Sequence, residues 1–403
     1  MTETCTAEQT AVRGGTPGWL AQVTDAGDPA AAAEAFWAEV ADTPVIGEAA
    51  EIAGRPCHLV TFLWRQPDPD REVLVHLNGI TDAHREDLAP MLLEHVAGTD
   101  LWHRSLWLPS EGTWGYRLVD LPEIAPDAGA TRQGWMAIHR AGQRDPGNPR
   151  WLPHMLGEES SILVMPQAWQ HPAWLDEPTA AEQWTVWEVP GPDGDSRPVR
   201  HWAPTGSPAS RLLVLFDGEQ WAAMGLADAI VRAGVDLELL LIDSVDPASR
   251  ARDLPDPGRA AVLVEAALER RALEGGPRDA AEVVLAGQSF GGLAAAAVAV
   301  TRPDLVSTAI VQSGSFWYAE GDEPRRDNPV PGDLVRRIRS GEFGQLTARF
   351  IIQAGTDEGT MVDQVHHFHA ACTGAGAAAD VTIVTGGHDF AWWRHRLLRA
   401  LDS

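Results

Sequence analysis

Apolar and polar positions divide the chain into two stretches of different rhythm. In the first, His58-Leu59-Val60-Thr61-Phe62-Leu63-Trp64 and Glu72-Val73-Leu74-Val75-His76-Leu77 are short apolar runs. The second run places Val73, Val75 and Leu77 on one face, the period of a half-buried strand. Residues 101–108 and 115–118 are two further strand candidates, and Gly/Pro/Asp clusters separate these runs. With a helix predicted at residues 31–40, the pattern reads as a small β-sandwich after a short helical start.

The second stretch begins with two predicted antiparallel strands, residues 184–189 and 199–203, joined across residues 190–198. Strand and helix then alternate. Leu212-Leu213-Val214-Leu215-Phe216 and residues 237–242 are apolar enough for buried strands; residues 260–271 follow as a helix. Val283-Val284-Leu285-Ala286 reads as a strand and residues 293–300 as a helix. Thr308-Ala309-Ile310-Val311, Arg349-Phe350-Ile351-Ile352 and Val381-Thr382-Ile383-Val384 supply three more strands, and residues 392–401 close as a helix. The expected fold class is therefore α/β: a mostly parallel sheet with helices on both faces, preceded by the β-sandwich. A boundary near residues 173–183, around Pro172 and Glu177-Pro178, divides the chain into domains 1–175 and 176–403.

Composition narrows the possible partners. Of 403 residues 57 are acidic and 31 basic, a net charge of −26, which argues against nucleic acid or anionic lipid as a partner. All the basic residues are arginine, so no mechanism can rest on a catalytic lysine. No apolar run has the length of a membrane-spanning helix. Residues 1–15 lack a basic segment followed by an apolar one, so no secretory signal is read there. Cys5, Cys57 and Cys372 are odd in number and widely spaced, which fits a reducing cytoplasm and neither a disulfide framework nor a zinc site.

The chemistry concentrates at Gly287-Gln288-Ser289-Phe290-Gly291-Gly292, between a predicted buried strand and an Ala-rich helix. A serine at a sharp strand-to-helix turn is held with its hydroxyl exposed, and glycines flank it because side chains there would clash with the neighbouring strand and helix. The alternative is a glycine turn carrying an incidental serine; the strand before and helix after favour a nucleophile. The N–H of Phe290, opening the helix, is an oxyanion donor candidate. A second donor is expected from the loop Asp217-Gly218-Glu219-Gln220-Trp221, where Gly218 would let backbone approach a substrate.

A serine nucleophile needs a base and an orienting acid, in the order serine, acid, histidine. His388 follows the last predicted strand and a Thr385-Gly386-Gly387 segment expected to be flexible, whereas His366, His367, His369 and His395 fall on predicted helices. The acid is expected after the strand at residues 349–352, where Gly355-Thr356-Asp357-Glu358-Gly359 offers two carboxylates: one to orient His388, the other facing solvent. Asp389 is too close to His388 in sequence to orient it well. Asp363 with His366, His367 and His369 raises the possibility of a metal site; no glutamate base accompanies them, and a solvated helix is the better reading.

These residues also carry a family resemblance. The chain resembles the enterochelin (enterobactin) esterases over nearly its whole length. In the second stretch the likeness rests on Leu215-Phe216-Asp217-Gly218-Glu219-Gln220-Trp221, Leu241-Ile242-Asp243, Arg250 with Asp253-Leu254, the serine motif, Gln312-Ser313-Gly314-Ser315-Phe316-Trp317, and Gly386-Gly387-His388-Asp389 with Trp393-Arg394. In the first it rests on Val60-Thr61-Phe62-Leu63-Trp64-Arg65, Asn78-Gly79-Ile80-Thr81-Asp82, Ala97-Gly98-Thr99-Asp100-Leu101-Trp102, Asp145-Pro146 with Asn148-Pro149, and Met165-Pro166-Gln167-Ala168.

The resemblance implies an immunoglobulin-like domain followed by an α/β-hydrolase domain. It implies a cytoplasmic esterase that opens the serine trilactone of a ferric catecholate siderophore, a small-molecule partner, with iron present only as part of the substrate and no cofactor. It points to Glu358, over Asp357, as the acid. Arg250 and Arg394 from the matched motifs are candidates to offset substrate charge, and Trp221, Trp317 and Trp393 are candidates to wall catechol rings, with core packing as the alternative for each tryptophan and pairing with Asp253 as the alternative for Arg250. The chain departs from the family at Asp253 and Ala267, where acidic residues of the pocket floor are expected to be glutamate and a helix carboxylate. A general or feruloyl-type carboxylesterase and a non-catalytic siderophore binder are the competing readings.

Overall fold

The computed structural model describes residues 10, 13–153, 159–174, 184–204, 209–274, 283–321 and 328–402. The chain divides into two units, Met1–Trp169 with Thr385–Trp392, and Gln170–Val384 with Trp393–Ser403. Of the boundary expected near residues 173–183, residues 175–183 lie outside the described residues.

In the first unit, helices α1 (Leu20–Thr24) and α2 (Pro29–Glu39) precede strands β1 (Val45–Ile52), β2 (Arg55–Arg65), β3 (Glu72–Leu77), β4 (Glu94–His95), β5 (Leu101–Pro109) and β6 (Thr113–Leu121). Helix α3 (Arg132–Ala141) then leads into β7 (Gly142–Gln143), β8 (Trp151–Leu152) and β9 (Ser160–Val164). Pro29 and the Asp28 side chain, which accepts from the Ala31 N–H, start α2. The strands form two antiparallel sheets, ordered β1-β2-β5-β4 and β3-β6-β9-β8, with β7 beside β6. Val60, Phe62 and Leu106 of one sheet share a core with Leu74, Tyr116 and Leu163 of the other, the expected β-sandwich.

Polar residues of the first-unit motifs act as fasteners. Asp145 accepts hydrogen bonds from Thr43 Oγ1 (2.8 Å), Tyr116 Oη (2.6 Å) and the Gly147 N–H (3.0 Å), and Asn148 donates to Tyr116 Oη and the Ile162 carbonyl. Arg65 pairs with Asp100 at 2.6 Å, tying the ends of β2 and β5 where Arg65 stands opposite Leu101.

In the second unit, β10 (Thr185–Pro190) and β11 (Ser196–Trp202) form the expected hairpin. They are followed by β12 (Arg211–Phe216), α4 (Gly218–Ala223), α5 (Leu226–Ala233), β13 (Leu237–Ile242), α6 (Pro247–Asp253), α7 (Pro257–Leu273), β14 (Val283–Gln288) and α8 (Phe290–Thr301). The rest is β15 (Thr308–Gln312), α9 (Asp333–Arg339), β16 (Arg349–Gly355), α10 (Met361–Gly374), β17 (Ala379–Val384) and α11 (Phe390–Leu401). Among the described residues these strands form one eight-stranded sheet, ordered β10-β11-β13-β12-β14-β15-β16-β17, parallel from β13 onward. Every residue of β13 and β14 is buried, as a sheet covered on both faces requires. The α/β class expected from the alternation is the one observed.

The chain leaves β12 for β13 on one side and returns for β14 on the other. The order therefore reverses at β12, and the crevice beyond the carboxyl ends of β12 and β14 is where sheets of this kind bind ligands.

Candidate active site

Ser289 sits at that reversal, between β14 and α8, with φ +58° and ψ −119°. A non-glycine residue in this conformation costs about 1–3 kcal/mol and persists only where the surroundings enforce it. They do so at close range. The Ser289 N–H donates to the Gln312 carbonyl (3.0 Å), and its carbonyl accepts from the N–H groups of Leu293 (3.0 Å) and Ser315 (3.1 Å). A Cβ on Gly287 would lie 2.1 Å from the Gly291 carbonyl oxygen, and one on Gly292 would lie 3.0 Å from the Gln312 carbonyl oxygen. Both glycines are there because strand and helix nearly touch, as the sequence implied. The Ser289 hydroxyl is 3.4 Å from Ser315 Oγ.

A ladder of amides lies beneath the turn. Gln288, Gln312 and Gln353 occupy matching positions near the ends of β14, β15 and β16. Trp221 Nε1 donates to Gln288 Oε1 (3.0 Å), Gln288 Nε2 to Gln312 Oε1 (2.9 Å), and Gln312 Nε2 to Gln353 Oε1 (2.7 Å). All four residues are buried, and the ladder satisfies their polar groups. Sequence reasoning passed over it, although a glutamine at three successive strand ends is a visible signal.

The loop in which the acid is expected follows β16. Glu358 Oε1 accepts from Ser313 Oγ (2.6 Å) and from the Gly355 N–H (2.7 Å), and Trp393 Nε1 donates to Ser313 Oγ (2.8 Å). Ser313 has φ +50°, so the strand end bends to present its hydroxyl to Glu358. Asp357 is also buried, at 2% exposure, which corrects the expectation that one of the two carboxylates faces solvent. The loop backbone forbids it: the Thr356 N–H donates to the Val384 carbonyl at 2.8 Å, pulling the segment against β17.

His388 belongs to the segment counted with the first unit. The glycines before it were expected to be flexible, and they are instead tightly packed. A Cβ on Gly386 would meet the Thr113 carbonyl oxygen at 2.8 Å, and one on Gly387 would meet the Asn78 carbonyl oxygen at 2.2 Å. Thr113 and Gly386 form a parallel bridge. Asp389 is occupied locally, accepting from the Gly115 N–H (3.0 Å) and the Ala391 N–H (2.6 Å) at the start of α11.

The oxyanion loop differs in detail from expectation. Asp217 is left-handed (φ +57°) and Gly218 opens α4. A Cβ on Gly218 would lie 2.7 Å from the backbone carbon of Leu241, so this glycine is demanded by β13 rather than by a substrate. Glu219 accepts from the Ser244 N–H at 2.9 Å; burial pushes its carboxyl above the usual range, with Asp217 and Asp243 acting the same way.

The remaining candidates separate. Arg250 makes a two-pronged pair with the fully buried Asp217, 2.7 Å on each prong, and does not pair with Asp253. Asp253 is buried between Arg197 (2.8 Å), Arg252 (2.9 Å) and Arg259 (2.8 Å). Ala267 is fully buried in the hydrophobic core, so it is not part of a pocket floor. Trp221 is fully buried and Trp393 4% exposed, their N–H groups spent on Gln288 and Ser313: the core-packing alternative describes both. Trp317 is 7% exposed, its ring centroid 5.7 Å from that of Phe290, and its indole N–H has no partner among the described residues. The Arg394 guanidinium lies over the Trp174 ring at 5.5 Å. On α10, His369 bonds to the Ala379 carbonyl and His367 to Arg339.

Comparison with known proteins agrees with this arrangement. Residues 59–174 match the family "Enterochelin esterase, N-terminal", and residues 270–403 match the family "Putative esterase". The chain is 32% identical to the iron(III) enterobactin esterase of Dickeya dadantii, over 92% of both chains. It is 29% identical to an iron(III) salmochelin esterase of Escherichia coli, over 84% of this chain and 85% of that one. The enterobactin esterase of Shigella flexneri, crystallised in the presence of enterobactin, superimposes with a TM-score of 0.77 at 26% identity, covering 91% of this chain and 97% of that one. The ferric enterobactin esterase of Salmonella typhimurium gives 0.77 at 27% identity, with the same coverage. The chain belongs to the enterochelin esterases, the family of the iron(III) enterobactin esterases.

Proposed function

We propose that this protein is a serine esterase that hydrolyses the trilactone of a ferric catecholate siderophore of the enterobactin type. The observation that carries the reading is the strained Ser289 at the order reversal of the sheet, in a chain belonging to this family. Relatives are named as iron(III) enterobactin and iron(III) salmochelin esterases, and the esterase match includes Ser289, Glu358 and His388.

In this reading His388 takes the Ser289 hydroxyl proton as Oγ bonds to a seryl-ester carbonyl carbon. Glu358 orients the imidazole and stabilises its protonated form. The N–H groups of Phe290 and of the Gly218–Glu219 turn hold the oxyanion. Collapse breaks the carbon–oxygen bond to the leaving seryl hydroxyl, which takes the proton from His388. A water, deprotonated by His388, then releases the acid and restores Ser289. These groups suffice for ester hydrolysis, so the protein needs no cofactor of its own, and the ferric ion enters as cargo. Trp317 is retained as a catechol wall and Arg250 and Arg394 as the cations near the substrate; Trp221 and Trp393 are assigned to the scaffold. We place the protein in the cytoplasm; none of the described helices is long and apolar enough to cross a membrane.

Ser289→Ala is expected to lower turnover of enterobactin, ferric and apo, by about 10⁴-fold or more. Linear trimer, dimer and monomer are read by mass spectrometry, and circular dichroism checks the fold. Product formation at the wild-type rate by this variant overturns the reading.

A further inference from the structure

The loop carrying His388 has a second set of contacts that the triad chemistry does not use. Asn78 stands at the end of β3, one residue past Leu77. Its Oδ1 accepts from the His388 N–H at 3.1 Å, and its Nδ2 donates to the His388 carbonyl at 3.2 Å. One side-chain amide thus satisfies both backbone groups of one residue, as a neighbouring strand would. Only this orientation of the amide pairs a donor with an acceptor at both points.

Asn78 is itself held. Its N–H donates to the Gly115 carbonyl at 3.0 Å, and the next residue, Gly79, is left-handed (φ +81°) with its N–H donating to Asp82 at 2.9 Å. Gly115 in turn donates to Asp389 at 3.0 Å. The Asn78 backbone leaves no space for a Cβ at position 387. Residues 386 to 389 are therefore fixed at four successive positions by Thr113, Asn78 and Gly115, all of the sandwich.

We propose that Asn78 is a positioning residue for His388, and that the β-sandwich takes part in catalysis by setting the backbone from which the imidazole projects. This rests on the assignment of His388 as the general base. A base displaced by as little as 1 Å can cost about 100-fold in rate, so a clamp on both polar groups of its backbone has a kinetic consequence. In this role the amide acts through the His388 backbone, so its loss is expected to lower kcat and leave substrate affinity alone.

The test is a double-mutant cycle in the full chain, with enterobactin as substrate and a fluorophosphonate probe of Ser289 as second readout. Asn78→Ala is expected to lower kcat and the labelling rate by about 100-fold with KM changed less than about threefold. In a His388→Ala background the same substitution is expected to cost nothing further, because it acts through the missing imidazole. An equal loss in both backgrounds, or an Asn78→Ala kcat within about twofold of wild type while His388→Ala is inactive, overturns the proposal and leaves the esterase reading standing. Wild-type turnover by His388→Ala overturns the assignment of the base and the proposal with it. If Asn78→Ala does not fold, Asn78→Asp decides. It keeps the acceptor for the His388 N–H but sets a carboxylate oxygen against the His388 carbonyl. A loss of about tenfold in kcat supports the clamp, and a wild-type kcat overturns it.

Discussion

Six consecutive residues, Gly287 to Gly292, make most of the turn that presents Ser289, whereas the loop presenting His388 is tied to residues 274 and 310 positions away in sequence. The serine turn stores strain and contains part of the reason for it, the close approach of Gly287 and Gly291 and a Leu293 N–H returning to the Ser289 carbonyl, with the Gln312 carbonyl and the Ser315 N–H of the next strand end completing the hold. The histidine loop is held from both sides of this divide: the Trp392 indole donates to the Gly387 carbonyl at 2.6 Å, whereas Thr113 and Asn78, far away in sequence, close the space beside Gly386 and Gly387. A nucleophile needs a sharp local bend, which a short motif can encode. The backbone of residues 386–389 is instead fastened in large part by residues far away in sequence.

The sharpest way to break the serine turn is Gly287→Ala. Its methyl would sit 2.1 Å from the Gly291 carbonyl oxygen, a backbone atom that cannot move without unwinding the first turn of α8. The expected outcome is loss of activity together with a stability loss of about 3 kcal/mol or more, read by denaturant unfolding. The contrast lies with Asn78→Ala, expected to cost rate far more than stability. If Gly287→Ala were silent in unfolding, the close approach of Gly287 and Gly291 would not be what holds the turn.

Glu358, the proposed acid, stands between these extremes. Glu358 is held locally by the Gly355 N–H and at a distance by Ser313, which the Trp393 indole supports. Ser313→Ala removes the hydroxyl from Glu358 and leaves the buried Trp393 N–H without its acceptor. The expected result is a roughly tenfold lower kcat and a loss of about 1–3 kcal/mol in stability, measured by steady-state kinetics and thermal unfolding. Retention of both values would mean that the Ser313 hydroxyl is not needed to place the carboxylate.

The same contrast decides what could be read from the sequence. Strands such as Leu237–Ile242 and Glu72–Leu77 were legible because burial on one or both faces writes itself into consecutive residues. β1 was not, because an edge strand with mostly exposed residues, Val45–Ile52, carries no apolar rhythm. The strand-to-helix turn at Ser289 was legible from its glycines, and so was the place of His388 after the last strand. The need for Gly218, the scaffold roles of Trp221 and Trp393, and the Asn78 clamp are all contacts between distant segments. No spacing rule encodes them, and a tryptophan that lines a pocket has the same sequence appearance as one that fills a core.

Acidification separates the two kinds of construction with the smallest expected effect. The run Gly287 to Gly292 contains no titratable side chain, so its own bonds are indifferent to pH. The helix leaving the His388 loop does contain one. His395 is 1% exposed, accepts from the His171 N–H at 3.0 Å, and is pushed down to about 2, chiefly by burial and then by Arg394 and His171. In the sandwich, burial likewise lowers His76. Below the ordinary histidine value of about 6.5, the unfolded chain binds protons that the folded chain refuses, so stability is full above that pH and falls as pH falls. His395 is expected to contribute a slope approaching 1.4 kcal/mol per pH unit between about pH 6 and 5. His395→Gln keeps an acceptor for the His171 N–H and removes the titration. Urea unfolding at a series of pH values is therefore expected to show a shallower acid slope for this variant by about one proton. An unchanged slope would mean that His395 is protonated in the folded chain, and the helix would then have to open around it.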